Sequence, residues 1–516
     1  MARGALQVRR WPGGVAAVCV ATLILGTLLA VVLRAEAGRG LGPSDWAAIR
    51  FTVWQALLSA VLSVLLAIPV ARALARRAFP GRRAIIGFLG APFILPVIVA
   101  VLGLLSVFGR GGILNVALRW VGLPEVQIYG LHGVVLAHVF FNVPLATRLI
   151  LQGWQEIPAE RFRLAAQLGF GPREMARVIE RPMLRRAVPL AAVVIFALCI
   201  SSFTVALTLG GGPRATTVEL AIYEAFHFEF DLGRAALLAT VQIVLVGVAA
   251  LLALRASVAE GFGAGLDRVV TRSDSGGLGK VSLDFVSITA ASLFLLVPIV
   301  MVAVEGAAGL WKMPAQVWTA AVVSFCVALA STGIMLALAL PIAIAAASWR
   351  GFEAVGLFGI AASPLVIGVG LFVVIFPIAD PFALALPVTA LVNAVMALPF
   401  ALRILVGPVR DVVESYGRLS ATLGIGGWAW MRLILLPRLK GPLGFASGLA
   451  AALSMGDLGV IALFADSETA TLPLQMYRLM GSYQMEAAAG AAVVLLVTSF
   501  GLFWAFDRGG RSHVDA

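Results

Sequence analysis

Long apolar runs separated by short polar stretches dominate this chain. Runs near the ~20 residues that a helix needs to cross a bilayer recur about twelve times. They fall at approximately 14–33, 52–74, 84–107, 129–152, 187–209, 233–254, 281–304, 317–347, 355–378, 382–405, 441–465 and 484–506. The short-strand alternation of a barrel is absent, and lipid cannot satisfy free backbone polar groups, so these runs predict helices. The expected fold class is all-α, a polytopic membrane protein with about twelve transmembrane helices.

Composition agrees with the pattern. Hydrophobic residues make up 61% of the 516 and charged residues 12%, with a mean hydropathy of +1.01. So little polar side chain cannot clothe a soluble body of this length. The net charge of +12 raises the question of nucleic acid, but the placement of the basic residues answers it differently. If the N-terminus is cytoplasmic, most Lys and Arg fall in the inner segments: Arg3, Arg9 and Arg10, then 75–83, 153–186, 255–280, Arg350, 406–440 and the C-terminus. That asymmetry puts both termini in the cytoplasm and leaves no call for nucleic acid. The first run is too long for a typical signal-peptide core and lacks an obvious small-residue cleavage site, so it reads as a retained helix. Cys19, Cys199 and Cys326 all lie inside expected spans and read as small packing residues.

The chain repeats itself. Gly169 to Pro182 and Gly424 to Pro437 carry the same spacing of Gly, Ile and Pro at an offset of 255 residues. Arg163/Arg418, Leu164/Leu419, Ala166/Ala421, Leu168/Leu423, Arg177/Arg432, Pro144/Pro399 and Arg148/Arg403 keep that offset. Earlier pairs, Ser59/Ser331, Pro69/Pro341 and Pro92/Pro364, sit at 272, so 17 extra residues entered the first copy between Pro92 and Pro144. A period this long marks a duplicated domain, since solenoid units repeat every ~20 to 50 residues.

The two most similar segments are cytoplasmic loops. In the first, 160–168 predicts a short helix, Gly169 and Gly171 punctuate it, and 172–180 predicts a second helix stopped by Pro182. Helix, glycine turn and helix at the membrane face make a knob. Leu164, Ala165 and Leu168 sit at helical spacing to fill a groove on a partner, ringed by Arg161, Arg163, Arg173 and Arg177.

That spacing resembles the EAA loop of ABC-transporter inner-membrane permeases: Glu-Ala-Ala, three residues, Gly, nine residues, Ile, one residue, Leu-Pro. Arg163, Leu164 and Ala165 take the Glu-Ala-Ala slot in the first copy, followed by Gly169, Ile179, Arg181 and Pro182. Arg418, Leu419 and Ser420 take it in the second, followed by Gly424, Ile434, Leu436 and Pro437. The glutamate is missing from both copies, and Arg181 replaces one leucine, which leaves open what orients each knob. The resemblance implies two tandem six-helix permease domains of the type I importer kind, residues 1–260 with loop 153–186 and residues 261–516 with loop 406–441. It also implies that each loop seats in a separate ATP-binding subunit. Two copies of that subunit would carry the ATP and magnesium, and a periplasmic substrate-binding protein would deliver a small molecule across the bacterial inner membrane. This chain would be a transport subunit and no enzyme. It has no Walker A sequence: Gly279-Lys280 is followed by Val281 where Ser or Thr belongs, and Asp274 stands where the leading Gly belongs.

Two fused halves match the permeases of the ferric iron and thiamine systems. The stretch from Thr208 to Tyr223, with Arg163 to Gly169, resembles the thiamine and thiamine pyrophosphate permeases most. Ferric iron remains the alternative substrate, and a secondary transporter the alternative class, since duplicated bundles with midplane acids occur there too.

For the substrate path the candidates are Asp457, Ser202, Glu219 and Tyr223. Asp457 lies inside the eleventh expected span, and Ser202 is its equivalent at the 255 offset. An ionisable group at that depth faces water, a partner or a substrate. A carboxylate there would attract the thiazolium of thiamine; the competing reading is a helix cap. Glu219, Tyr223 and Glu224, like Gln475 and Tyr477, either contact the docked binding protein or stabilise a re-entrant loop or short interfacial helix. Asn142 and Asn393 suit interhelical hydrogen bonds. His132, His138 and His227 lack metal-ligand spacing, so no metal is expected.

Overall fold

Proline and glycine decide where the apolar runs break. The computed structural model describes residues 11–36, 40–90, 92, 94–256, 277–360, 362–465 and 470–511, and among these no strand occurs. The first half holds α1 (Trp11–Arg34), α2 (Pro43–Arg76), α3 (Arg82–Phe88), α4 (Val97–Phe108), α5 (Ile113–Trp120), α6 (Leu131–Gln155), α7 (Ala159–Gln167), α8 (Pro172–Met175), α9 (Arg181–Ile200), α10 (Phe203–Leu209), α11 (Val218–His227) and α12 (Leu232–Ala256). The second holds α13 (Leu278–Gly309), α14 (Ala315–Ser348), α15 (Val355–Ile360), α16 (Pro364–Ile375), α17 (Ala385–Thr422), α18 (Gly427–Trp430), α19 (Leu436–Met455), α20 (Gly459–Phe464), α21 (Leu472–Gly481) and α22 (Met485–Arg511). The boundary expected between residues 260 and 261 lies outside the described residues, as does Asp274.

Among the described residues, 11 stretches are long and apolar enough to span a bilayer, one fewer than the expected twelve. The difference is the run 355–378. It divides at Ser363, which is extended at ψ 142° and caps α16 through its hydroxyl, with Pro364 as the first helical residue. A residue before proline is pushed out of the α region, so the run cannot be one helix. The run 382–405 errs the other way. α17 continues for 38 residues into the loop, whereas in the first copy Pro158 separates α6 from α7.

The halves are interlocked. α1 packs on α14 and α16 of the second half, and α13 packs on α2 and α4 of the first. Two glycines in equivalent helices set these approaches: a Cβ on Gly103 would lie 2.5 Å from the Pro298 carbonyl oxygen, and one on Gly370 2.5 Å from that of Thr27. Small residues let helix backbones close up in this way, where apolar burial alone provides no drive in lipid. At one end, Arg76 and Arg77 both pair with Asp284 at 2.6 and 2.8 Å, joining α2 to α13. At the other, Arg234 on α12 pairs with Asp45 on α2 at 2.7 Å.

The extra residues of the first copy fall in the stretch ahead of α4 and in the loop that carries α5. Asn115 pins this loop, donating to the Gly109 and Val126 carbonyls at 2.9 Å and accepting from the Val126 N–H at 2.8 Å. The outer surface is apolar, with Leu283, Phe285, Val286, Leu293 and Val304 of α13 exposed. So large an apolar face belongs against lipid, and the chain is a multi-pass membrane protein.

Candidate functional site

From the end of the first loop helix onward, the two loops fold alike to the residue. α7 ends at Gln167 and α17 at Thr422; the next helices begin at Pro172 and Gly427; α9 and α19 span Arg181–Ile200 and Leu436–Met455, every boundary shifted by 255. Gly169 and Gly424 occupy the left-handed region at φ 69° and 66°. Phe170 N–H donates to the Ala165 carbonyl and Ile425 N–H to the Ser420 carbonyl, both at 2.9 Å. This is the Schellman closure of a helix C-terminus, which favours glycine because a Cβ is penalised there.

Pro182 does not stop the second loop helix. α8 passes through a π-helical turn at Ala176–Glu180 into α9, with Pro182 in the first turn of α9; Met431–Leu435 and Pro437 repeat the device. A wider turn makes room for the proline ring where a regular turn would clash with a carbonyl.

Side chains in the loop sort into two faces. Leu164 and Leu168, like Leu419 and Leu423, are exposed, as are Arg163 and Arg418, while Ile179 and Ile434 are half-buried. Ala165 was expected on the outer face but is buried, as is its equivalent Ser420. The outward apolar pair is therefore Leu164 and Leu168. What orients each knob differs between copies. In the first, Arg72 of α2 grips Glu180 through two contacts, Nε to Oε1 at 3.1 Å and Nη2 to Oε2 at 2.9 Å. In the second, the Arg438 guanidinium lies 3.8 Å from the centre of the Tyr416 ring, a cation–π contact.

Deeper in the bundle, the runs 187–209 and 441–465 are each broken. α9 ends before Ser201 and Ser202, and α19 before Gly456, Asp457 and Leu458. The breaks face each other: a Cβ on Gly459 would lie 3.7 Å from the Phe203 ring and 3.8 Å from Asp457 Oδ1. A broken helix frees backbone groups that lipid cannot satisfy. In the first half Gln55 donates to the Cys199 carbonyl at 3.0 Å and Gln242 to the Ile200 carbonyl at 3.1 Å. Asn142 donates to Cys199 Sγ at 3.4 Å and Asn393 to Ser454 Oγ at 3.1 Å, so both tie the neighbouring helix to the break as interhelical bonds.

Asp457 caps the break: its Oδ1 accepts the Gly459 N–H at 3.3 Å, and Asn393 is a further hydrogen-bonding neighbour of the carboxylate. Glu219 is different. It is 1% exposed, accepts from Gln242 at 2.9 Å and lies beside Ser363 of the other half. These bonds tie α11 to α12 and to the other half. Tyr223 sits on the short helix α11, whose first N–H donates to Thr52 Oγ1 at 2.9 Å; the Leu472 N–H that opens α21 donates to Ser324 Oγ at 2.7 Å.

The chain matches no family model. It is 40% identical over 528 residues to the thiamine transport system permease protein ThiP of Brucella abortus (strain 2308), covering 98% of this chain and 96% of that protein. The Escherichia coli (strain K12) protein of the same description is 40% identical over 476 residues, 90% of this chain and 89% of its own. That of Haemophilus influenzae is 33% identical over 538 residues, 99% and 98%. The chain belongs to this permease family. Family membership spans both halves, both loops and both breaks, and makes the chain a transport permease subunit of the ABC superfamily.

Several residues that support the breaks and the short helices beside them carry a weak sequence signal. Gln55 and Gln242 are isolated amides in apolar runs, the kind of polar residue that membrane burial makes costly unless bonded. Tyr223 and Tyr477 are equivalents at an offset of 254, one residue out of register with the loops.

Proposed function

We propose that this chain is the transmembrane subunit of an ATP-driven importer of thiamine and thiamine pyrophosphate in a bacterial inner membrane, with both termini cytoplasmic. Two copies of an ATP-binding subunit hold the ATP and magnesium. They close on the knobs at Gly169 and Gly424, and a periplasmic binding protein delivers substrate to the opposite face. Rocking of the halves about their interlocked first helices exposes the path to each side in turn. The substrate passes the facing breaks at Ser202 and Asp457.

The carrying observation is the duplicated loop: two knobs with the same left-handed glycine, the same π-helical turn and exposed leucines at the same offset. A carrier driven by an ion gradient has no use for two matching docking knobs. Thiamine is supported by the names of the relatives and by near-complete coverage. The test is uptake of labelled thiamine by vesicles that hold the permease, its ATP-binding subunit and its binding protein. ATP-dependent uptake is expected; uptake driven by a proton gradient without the ATP-binding subunit contradicts the proposal. Calorimetry on the binding protein separates substrates, and ferric iron in its pocket would overturn thiamine.

A further inference from the structure

The two knobs share a backbone plan but not a surface. Both expose a pair of leucines, with an exposed arginine before the pair and another behind it, Arg163 and Arg177 in the first, Arg418 and Arg432 in the second. They differ just past the glycine turn. Where the first exposes Arg173 and Glu174, the second exposes Trp428 and Ala429. Trp428 is 68% exposed. The residue ahead of it differs too: Gly427, left-handed at φ 59° and with nothing within 4 Å of a Cβ position, opens α18, whereas Pro172 opens α8.

We infer that the knobs grip the two copies of the ATP-binding subunit unequally, the second through an aromatic anchor, Trp428, and the first through charge. This rests on the importer reading and adds which knob holds its partner more firmly, and by what.

Two copies of one subunit offer both knobs the same cleft. Contacts of the duplicated leucines and arginines therefore cancel between the two sites, and the difference falls on the position shared by Arg173 and Trp428. Tryptophan brings a large rigid apolar area at low entropic cost and is enriched among the residues that dominate interfaces. An exposed arginine next to a glutamate brings one charge of each sign, worth little in water and screened by salt. Lipid is the other cover that an exposed indole could find, since tryptophan favours the membrane interface. Register argues for the protein: the same position carries a guanidinium in the first knob, and Arg432, four residues past Trp428, is exposed as well. Without nucleotide to join the two subunits, rising salt should release the copy at Gly169 first. One permease with one ATP-binding subunit, seated at Gly424, should remain.

The test uses the full-length permease in detergent and the purified ATP-binding subunit without nucleotide, with affinity read by surface capture and stoichiometry by native mass spectrometry. Gly169→Leu leaves the second knob as the sole site, and Gly424→Leu the first. Between about 0.1 and 1 M salt the Debye length falls from about 10 to 3 Å. Over that range the Gly169→Leu permease should keep its affinity within about twofold, and the Gly424→Leu permease should lose about tenfold. Trp428→Ala added to Gly169→Leu should weaken capture about thirtyfold, the scale of an aromatic hot spot. Arg173→Trp added to Gly424→Leu should strengthen capture about tenfold and flatten its salt dependence. Equal affinities and equal salt dependence of the two single-knob permeases would overturn the unequal grip. Unchanged capture after Trp428→Ala would overturn it too and leave the ring to lipid. If Trp428→Ala does not fold, Arg173→Trp decides alone, and no gain there overturns the anchor. Failure of the unaltered permease to capture the ATP-binding subunit at any salt would instead sink the importer reading, so the two failures are distinguishable.

Discussion

Gly169 and Gly424 hold the same left-handed backbone, φ 69° and 66°, at the same point of two loops 255 residues apart. Neither has an atom within 4 Å of where a Cβ would sit. The requirement for glycine is therefore conformational and owes nothing to packing.

Replacing either by alanine should cost about 1–2 kcal/mol in local knob stability, the penalty for an L-residue in this region. Global unfolding of the purified permease should hardly move. Affinity for the ATP-binding subunit, measured by surface capture, should fall about tenfold per site, because 1.4 kcal/mol is a factor of ten.

Gly103 and Gly370 make the opposite case. A Cβ on either would meet a backbone carbonyl oxygen at 2.5 Å, so even alanine forces α4 from α13, or α16 from α1. Gly103→Ala and Gly370→Ala should each destabilise by about 1–3 kcal/mol, the range for overpacking. Gly333→Ala, with nothing within 4 Å, should be neutral. Thermal unfolding in detergent reads all three.

The first knob hangs on an ion pair. Glu180 is 4% exposed and Arg72 31%, so removing one partner should cost about 2 kcal/mol, below the 3–5 kcal/mol of a fully enclosed pair. Arg72→Ala and Glu180→Gln should weaken coupling through the first loop by similar amounts. Their double variant should cost little more than either, and a double-mutant cycle on stimulated ATPase activity measures this. Additive losses would show that the pair does not act as a unit.

Gln242 serves two acceptors, the Ile200 carbonyl and Glu219. Gln242→Leu should leave both without that donor and lower stability by about 1–3 kcal/mol. Gln242→Glu, which cannot donate through a charged group, should be no better. Both predictions are read by thermal unfolding, with transport falling in parallel.

How much of this was legible in the sequence depended on the kind of signal. The knobs were, because glycine states backbone geometry directly: Gly169 and Gly424 stand where the chain turns. Even there Pro182 misled, since a π-helical turn let the helix run on where a stop was expected. Ser202 and Asp457 were paired correctly by offset and do mark the two breaks. The breaks themselves were hidden, because hydropathy stays high across Cys199 to Leu209 and Ala450 to Phe464. The partners of Glu219, Gln242 and Ser363, were hidden because they are remote in sequence. The exchange of α1 and α13 between halves left no trace, since an apolar helix face reads the same whether it meets lipid or protein.

The most direct test of the central claim is ATP-driven thiamine uptake by the reconstituted importer carrying Gly169→Leu and Gly424→Leu together. The duplicated-knob account predicts that the ATP-binding subunit no longer co-purifies and that uptake is abolished. Uptake that survives both substitutions and follows an imposed proton gradient would contradict it.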